Sequence, residues 1–220
     1  MSDKRPTYEE LERRLAIVSD AATSLLRAQD TNSMVRELFD QVSSHLSVQA
    51  YFNFSVNGTG ERLRLESLSG ISEEESRLIA QWSLDQGPCG TAARMHHMVH
   101  VPDVQASADP ALDTLRRYGI RAYCCYPLMA GDRLLGVLSF GSRVVDRFDD
   151  DDLDLMRTMS SYVSIAREKL RLEKELRERT DQLAEADRRA RTSSWQYWLT
   201  SCAIPWPPSP TPCTCSRRAA

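Results

Sequence analysis

The sequence predicts an α+β fold: one antiparallel β-sheet with helices packed on one face, flanked by amphipathic, coiled-coil-like helices at both ends. Three observations carry this. Apolar residues recur every three or four positions near both ends of the chain and every second position in its middle. The period-two segments come as two adjacent pairs, each joined by a short turn, which reads as hairpins and hence antiparallel pairing. The order is helices, hairpin, helix and loops, hairpin, long helix, without the strand–helix alternation of a parallel sheet.

The first helix starts at Thr7-Tyr8-Glu9-Glu10, where the Thr hydroxyl and the Glu three residues on can satisfy each other's orphan N–H groups. Its stripe of Tyr8, Leu11, Leu15, Val18, Ala22 and Leu25 has coiled-coil spacing. Two readings stay open: a helix packed on its own domain, or a parallel dimer seam. A second helix spans about 31–46 with Met34, Leu38, Val42 and Leu46. Strands follow over about 51–56 and 61–66, with Phe52, Phe54 and Val56 on one buried face and Asn57-Gly58-Thr59-Gly60 as the turn. Ser72 and Glu75 form a second capping box, opening a helix predicted to reach about Trp82. The stretch from Asp85 to Asp103 reads as loops around a short helix at 91–95. Another helix, 110–118, ends at Gly119, a favoured C-terminal residue. Strands over 120–129 and 134–140 join through Ala130-Gly131-Asp132-Arg133. From Asp149 a helix rich in i,i+4 charge pairs runs to about Ala190.

Hydrophobic residues make up 41% and charged residues 27%, enough for a globular core. The formal net charge of −3 offers no basic footprint for nucleic acid. No apolar run has membrane-spanning length and the start, Met1 to Pro6, is polar. A cytoplasmic protein with neither nucleic-acid nor membrane partner is expected. Cys89, Cys124 and Cys125 fall in the globular part; Cys202, Cys213 and Cys215 fall in the tail. Nothing marks export, so no disulfide framework is expected. No CxxC pair or zinc-finger spacing occurs, so no metal site is expected.

Gly87-Pro88-Cys89-Gly90, Val99-His100-Val101-Pro102-Asp103, Asp109-Pro110, Gly119-Ile120-Arg121-Ala122-Tyr123, Tyr126-Pro127-Leu128, Leu134-Leu135-Gly136-Val137-Leu138-Ser139-Phe140, and the closing Phe148 with Asp152 together resemble a GAF domain over about 31–167. The resemblance implies a ligand pocket between the sheet face and the middle loops, with Cys89, Gly90, Val101, Asp103, Tyr123, Cys125 and Phe140 as candidate lining. The ligand and any cofactor stay unnamed. Cyclic-nucleotide-binding members carry Asn-Lys before Phe-x-x-x-Asp-Glu; here Gly141-Ser142-Arg143 and Leu153 replace those residues. The Cys-His setting of bilin binders is missing. A haem would have to recruit His96, His97 or His100 from a polar loop. Cys89 beside a helix start reads either as a thiol activated by the helix dipole or as a small buried hydrophobe. Cys124 and Cys125, adjacent in a strand, should face opposite sides. Asp149 to Asp152 reads as a capping cluster at a helix N-terminus.

The last helix carries Met156, Met159, Val163, Ala166 and Leu170 as one stripe, then Leu172, Leu176, Leu183 and Ala186 in a shifted register. Such a phase change is expected where packing on a domain hands over to a coiled coil. A homodimer seam through Leu11, Leu15, Val18, Leu25, Leu172, Leu176 and Leu183 is the expected partner surface. The organisation expected is an N-terminal helix (1–30), the GAF domain (31–167), a signalling helix (168–190) and a Pro-, Ser- and Cys-rich tail (191–220) unable to continue the helix. Codons compatible with the residues after Arg189, read one base earlier, can spell KDEFLAILAHELRNPLAPI. That resembles the phosphoacceptor helix of sensor histidine kinases, whose signature is His-Glu-Leu-Arg-Asn-Pro-Leu. The expectation is a truncated, frameshifted GAF-containing histidine kinase of a two-component system. As translated it lacks the acceptor His and should not autophosphorylate. Two other functions compete: a cysteine-dependent GAF-fold methionine sulfoxide reductase using Cys89 with Cys124 or Cys125, and a ligand-free dimerising scaffold.

Overall fold

The computed structural model describes residues 8–27, 30–43, 46–57 and 61–201. Two helices open the chain, α1 (Tyr8–Arg27) and α2 (Thr31–Val42), the second N-capped by the Asp30 carboxylate accepting from the Ser33 N–H at 2.9 Å. Strands β1 (Ala50–Val56) and β2 (Arg62–Ser69) follow, then α3 (Glu73–Leu78), β3 (Gln81–Ser83) and α4 (Gly87–Met95). After β4 (Val99–Val101), two 3-10 turns and α5 (Asp113–Arg117) lead to β5 (Ala122–Ala130), β6 (Arg133–Ser142) and α6 (Asp150–Ser201). The six strands form one antiparallel sheet in the order β3-β2-β1-β6-β5-β4.

The sheet separates two cores. On one face Tyr51, Cys124, Tyr126, Leu128 and Phe140 pack against Ala21 of α1, Met34 and Leu38 of α2, and Met156, Met159, Val163 and Ala166 of α6. On the other, Phe52, Phe54, Tyr123, Cys125 and Val137 lie under Cys89 and Ala92 of α4 and Leu115 of α5. Helices and loops thus cover the second face as well as the first. β1 is consequently buried on both sides rather than one, from Ala50 through Phe54.

Several element bounds differ from expectation for identifiable reasons. α2 ends at Val42, short of Leu46, and Ser47 nearby takes a left-handed backbone (φ 49°) incompatible with a continuing helix. α3 has the predicted capping box, with the Ser72 N–H donating to Glu75 Oε2 at 2.8 Å. It stops at Leu78 because Gln81, Trp82 and Ser83 pair with β2 as an edge strand. Val99–Val101, read as loop, pairs with Tyr123 to Cys125 as the opposite edge. The helix does not break at 191: α6 continues through Ser201. The composition shift at Arg191 brings neither Gly nor Pro; the first proline is Pro205. The predicted disordered tail is corrected that far, and 202–220 lie outside the described residues.

The chain divides into two units, Met1–Glu173 and Lys174–Ala220. In the second unit α6 is largely exposed from Lys174 to Arg191 and is laced with i,i+4 ion pairs such as Glu175–Arg179 and Asp187–Arg191, both at 2.8 Å. Among the described residues no helix is long and apolar enough to cross a membrane.

Candidate functional site

The second sheet face is not filled. Phe52 and Phe54 from β1 and Tyr123 from β5 form a floor, and Pro88 and Cys89 at the first turn of α4 overhang it. Leu115 and Tyr118 close the α5 side, with Trp82, Ala111 and Thr114 at the half-buried to exposed rim. The cavity is small, about 30 Å³, room for roughly one water. Its walls are mostly apolar, with Cys89, Thr114, Trp82 and the two tyrosines as the lining residues that carry polar groups.

Two glycines make this geometry possible. Gly87 begins α4 at φ +58°, a backbone that L residues rarely take, and so turns the chain from the Trp82 loop into the helix. A Cβ at Gly90 would be driven into the Leu84 carbonyl, so the first turn of α4 can lie against that loop only without a side chain. Trp82 Nε1 donates to the Gln86 carbonyl at 2.6 Å and holds the indole at the rim.

Beneath α4 lies a buried polar cluster. Cys89 Sγ is 3.2 Å from the Tyr123 hydroxyl, 3.7 Å from Cys125 Sγ and 3.8 Å from Ser139 Oγ. The Tyr123 hydroxyl donates to Ser139 Oγ at 2.7 Å, and Ser139 donates to the Phe52 carbonyl at 3.2 Å. Hydrogen bonding with Cys125 draws the Cys89 thiol below its ordinary range, against the opposing effect of burial. Burial pushes Cys125 and Tyr123 well above theirs. Of these groups Cys89 is the one drawn toward ionisation, and its neighbours are drawn away from it.

Among the sequence candidates, Cys89, Tyr123 and Cys125 meet here, and Gly90 shapes the overhang. Val101 is half-buried in β4 opposite Tyr123 and packs on the same core without lining the cavity. Asp103 lies outside it: its side chain is exposed and sits 3.6 Å from Arg147. Phe140 is on the other face, edge-on to Tyr126 with ring centroids 6.3 Å apart. The reason is a bulge. The β5–β6 register shifts between Leu128 and Met129, so Phe140 pairs with Cys124 rather than Tyr123 and takes the side Cys124 takes. Of the histidines, His96 and His97 are exposed and His100 points toward Phe148 of the helix-side core, 6.1 Å between rings. Among the described residues no three His, Cys, Asp or Glu side chains gather as metal ligands. Ser139 was missed as a site residue, although a lone hydroxyl within the apolar run Leu134 to Phe140 was its visible signal.

The dimer-seam candidates also separate. Val18 and Leu25 pack partly on the helix-side core, whereas Leu15, Leu172, Leu176 and Leu183 are exposed. The Leu11 side chain lies outside the described residues.

A second polar network crosses the helix side. Arg167 of α6 donates to the carbonyls of Phe54 (2.9 Å) and Leu135 (3.1 Å) and to Asn53 Oδ1 (2.6 Å). Asn53 in turn donates to Asn32 Oδ1 and Ser67 Oγ, both at 3.2 Å. Burial lowers the Arg167 pKa to about 10.

The comparisons agree with this architecture. No curated protein matches the sequence. A solved structure described as a GAF sensor protein from Burkholderia vietnamiensis is 24% identical, with TM-score 0.60, covering 73% of this chain and 98% of its own. The free methionine-R-sulfoxide reductase of Neisseria meningitidis is 20% identical, TM-score 0.61, with coverages of 79% and 95%. A domain of a two-component sensor histidine kinase protein from Sinorhizobium meliloti is 18% identical, TM-score 0.56, with coverages of 68% and 99%. At these identities the likeness is one of fold. The family model of the GAF domain matches residues 28–168, most of the chain, and the chain therefore belongs to the GAF domain family.

Proposed function

We propose that the chain is the sensory module of a two-component signalling protein of the sensor histidine kinase type, in which occupancy of the cavity is passed to α6. One observation carries this reading. Strand β1 presents Phe52 and Phe54 to the cavity, while the residue between them, Asn53, and the Phe54 carbonyl are both bonded to Arg167 of α6. A shift of β1 on binding is thus felt at the helix within one residue. A ligand larger than water must move Trp82 or α5, so binding and displacement are coupled, the property a two-state sensor needs. A second copy of the chain is the proposed partner, through the exposed Leu15, Leu172, Leu176 and Leu183. Native mass spectrometry of the purified chain tests both parts: a dimer carrying extra mass is expected, and a bare monomer counts against them. Sequencing the locus past the Arg189 codon tests the kinase context; absence of the phosphoacceptor motif in the adjacent frame removes the frameshift reading.

The thiol pair favours a second reading, a methionine sulfoxide reductase, since that chemistry needs a nucleophilic and a resolving thiol in one pocket. Turnover of free methionine sulfoxide with dithiothreitol decides it. Methionine sulfoxide, like any ligand larger than water, would require Trp82 or α5 to move.

A further inference from the structure

We infer that Cys89 and Cys125 form a peroxide-responsive dithiol, a reversible modification site in which hydrogen peroxide enters the cavity and oxidises the pair to a disulfide that pins the first turn of α4 to β5. Their sulfurs are 3.7 Å apart with no atom needed between them, and rotation of the side chains must bring them to about 2.05 Å in the bond. The two thiols are not equivalent. Cys89 lines the cavity, whereas Cys125 is fully buried behind it. Cys89 sits in the first turn of a nine-residue helix, where the unsatisfied N–H groups favour a thiolate. Cys125, 3.7 Å away, is the thiol partner placed to donate to that charge. The cavity has room for a water-sized molecule, which fits hydrogen peroxide without displacement of its walls.

The chemistry closes on these groups. Cys89 Sγ attacks one oxygen of peroxide, the O–O bond breaks, and the departing hydroxide takes up the proton Cys89 gave up, leaving Cys89 sulfenic acid and water. Cys125 Sγ then attacks Cys89 Sγ, the S–O bond breaks, and hydroxide leaves with the Cys125 proton as a second water. Two thiols lose two hydrogens; peroxide is reduced to two waters. Cys124 is the internal control, since it faces the helix-side core with its Sγ 3.5 Å from Met156 Sδ.

The site stands whether or not another ligand uses the cavity, and the test does not require one. The full chain is reduced, desalted, exposed to hydrogen peroxide, denatured in iodoacetamide, digested and sequenced by tandem mass spectrometry. The expected product joins Cys89 to Cys125, lighter by two hydrogens than the two thiols and restored by dithiothreitol, with Cys124 alkylated. In Cys125→Ser, oxidation stops at a Cys89 sulfenic acid that dimedone traps. The wild-type map decides even if that variant does not fold. The inference is overturned if both thiols remain alkylated after peroxide exposure that oxidises free glutathione. It is also overturned if Cys89 pairs with another cysteine, or if methionine sulfoxide drives the bond where peroxide does not.

Discussion

The two faces of the sheet are built from neighbouring residues and come out chemically opposite. Cys124 and Cys125 are adjacent in β5, yet Cys124 is walled in by Met156, Tyr126 and Phe140, and Cys125 looks at the Cys89 thiol and the Tyr123 hydroxyl. The helix side is closed by α1, α2 and α6, of 20, 12 and 52 residues. The cavity side is closed by a nine-residue and a five-residue helix, and the cavity lies beneath them. Close packing thus goes with the long helices, and free volume with the short ones. Stability and sensing are divided between the two sides of one sheet.

That contrast can be broken most directly by truncation. Met156→Ala, at a fully buried helix-side position, is expected to lower stability by about 3 kcal/mol in urea denaturation. Cys89→Ala beside the existing cavity should cost only about 1 kcal/mol. Equal losses would mean that the faces are packed alike. Next in size is Arg167→Leu, which leaves the Phe54 and Leu135 carbonyls and Asn53 Oδ1 without their donor. It should cost about 2 kcal/mol by the same measurement. If β1 couples the cavity to α6, this variant should also raise hydrogen exchange in β1.

The tyrosines sharpen the comparison at smaller cost. Tyr126 donates to the Leu153 carbonyl at 2.6 Å on the helix side, and Tyr123 joins the thiol cluster on the other. Tyr126→Phe and Tyr123→Phe should each cost about 1 kcal/mol, yet only Tyr123→Phe should slow peroxide oxidation of Cys89, followed by alkylation. Equal oxidation rates in the two variants would remove Tyr123 from the thiol chemistry.

The smallest effect expected is a pH dependence from His100, whose Nε2 is buried without a hydrogen-bond partner. Burial, then the charge of Arg147, hold its pKa below the usual 6.5, with Asp150 opposing. The unfolded chain therefore binds more protons than the native one below that value, and stability falls as the pH drops through 6.5 toward the folded pKa. Denaturation midpoints at pH 7 and pH 5 should differ by less in His100→Phe than in the wild type.

Much of the architecture could be read without coordinates because it rests on local rules. The Ser72–Glu75 capping box, the alternation that parts Cys124 from Cys125, both hairpins and the change of stripe along α6 each need only a few consecutive residues. The edge strands β3 and β4 could not be read, since three residues carry no period and become strands only by pairing with β2 and β5. The site divides in the same way. Cys89 at a helix start and Tyr123 with Cys125 on one side of a strand follow from spacing alone. Whether Phe140 joins them depends on one extra residue in the β5–β6 ladder, and whether Cys89 reaches Cys125 depends on how α4 seats over the sheet through Gly87 and Gly90. Both are matters of register and close approach between distant segments, which the folded chain alone can set.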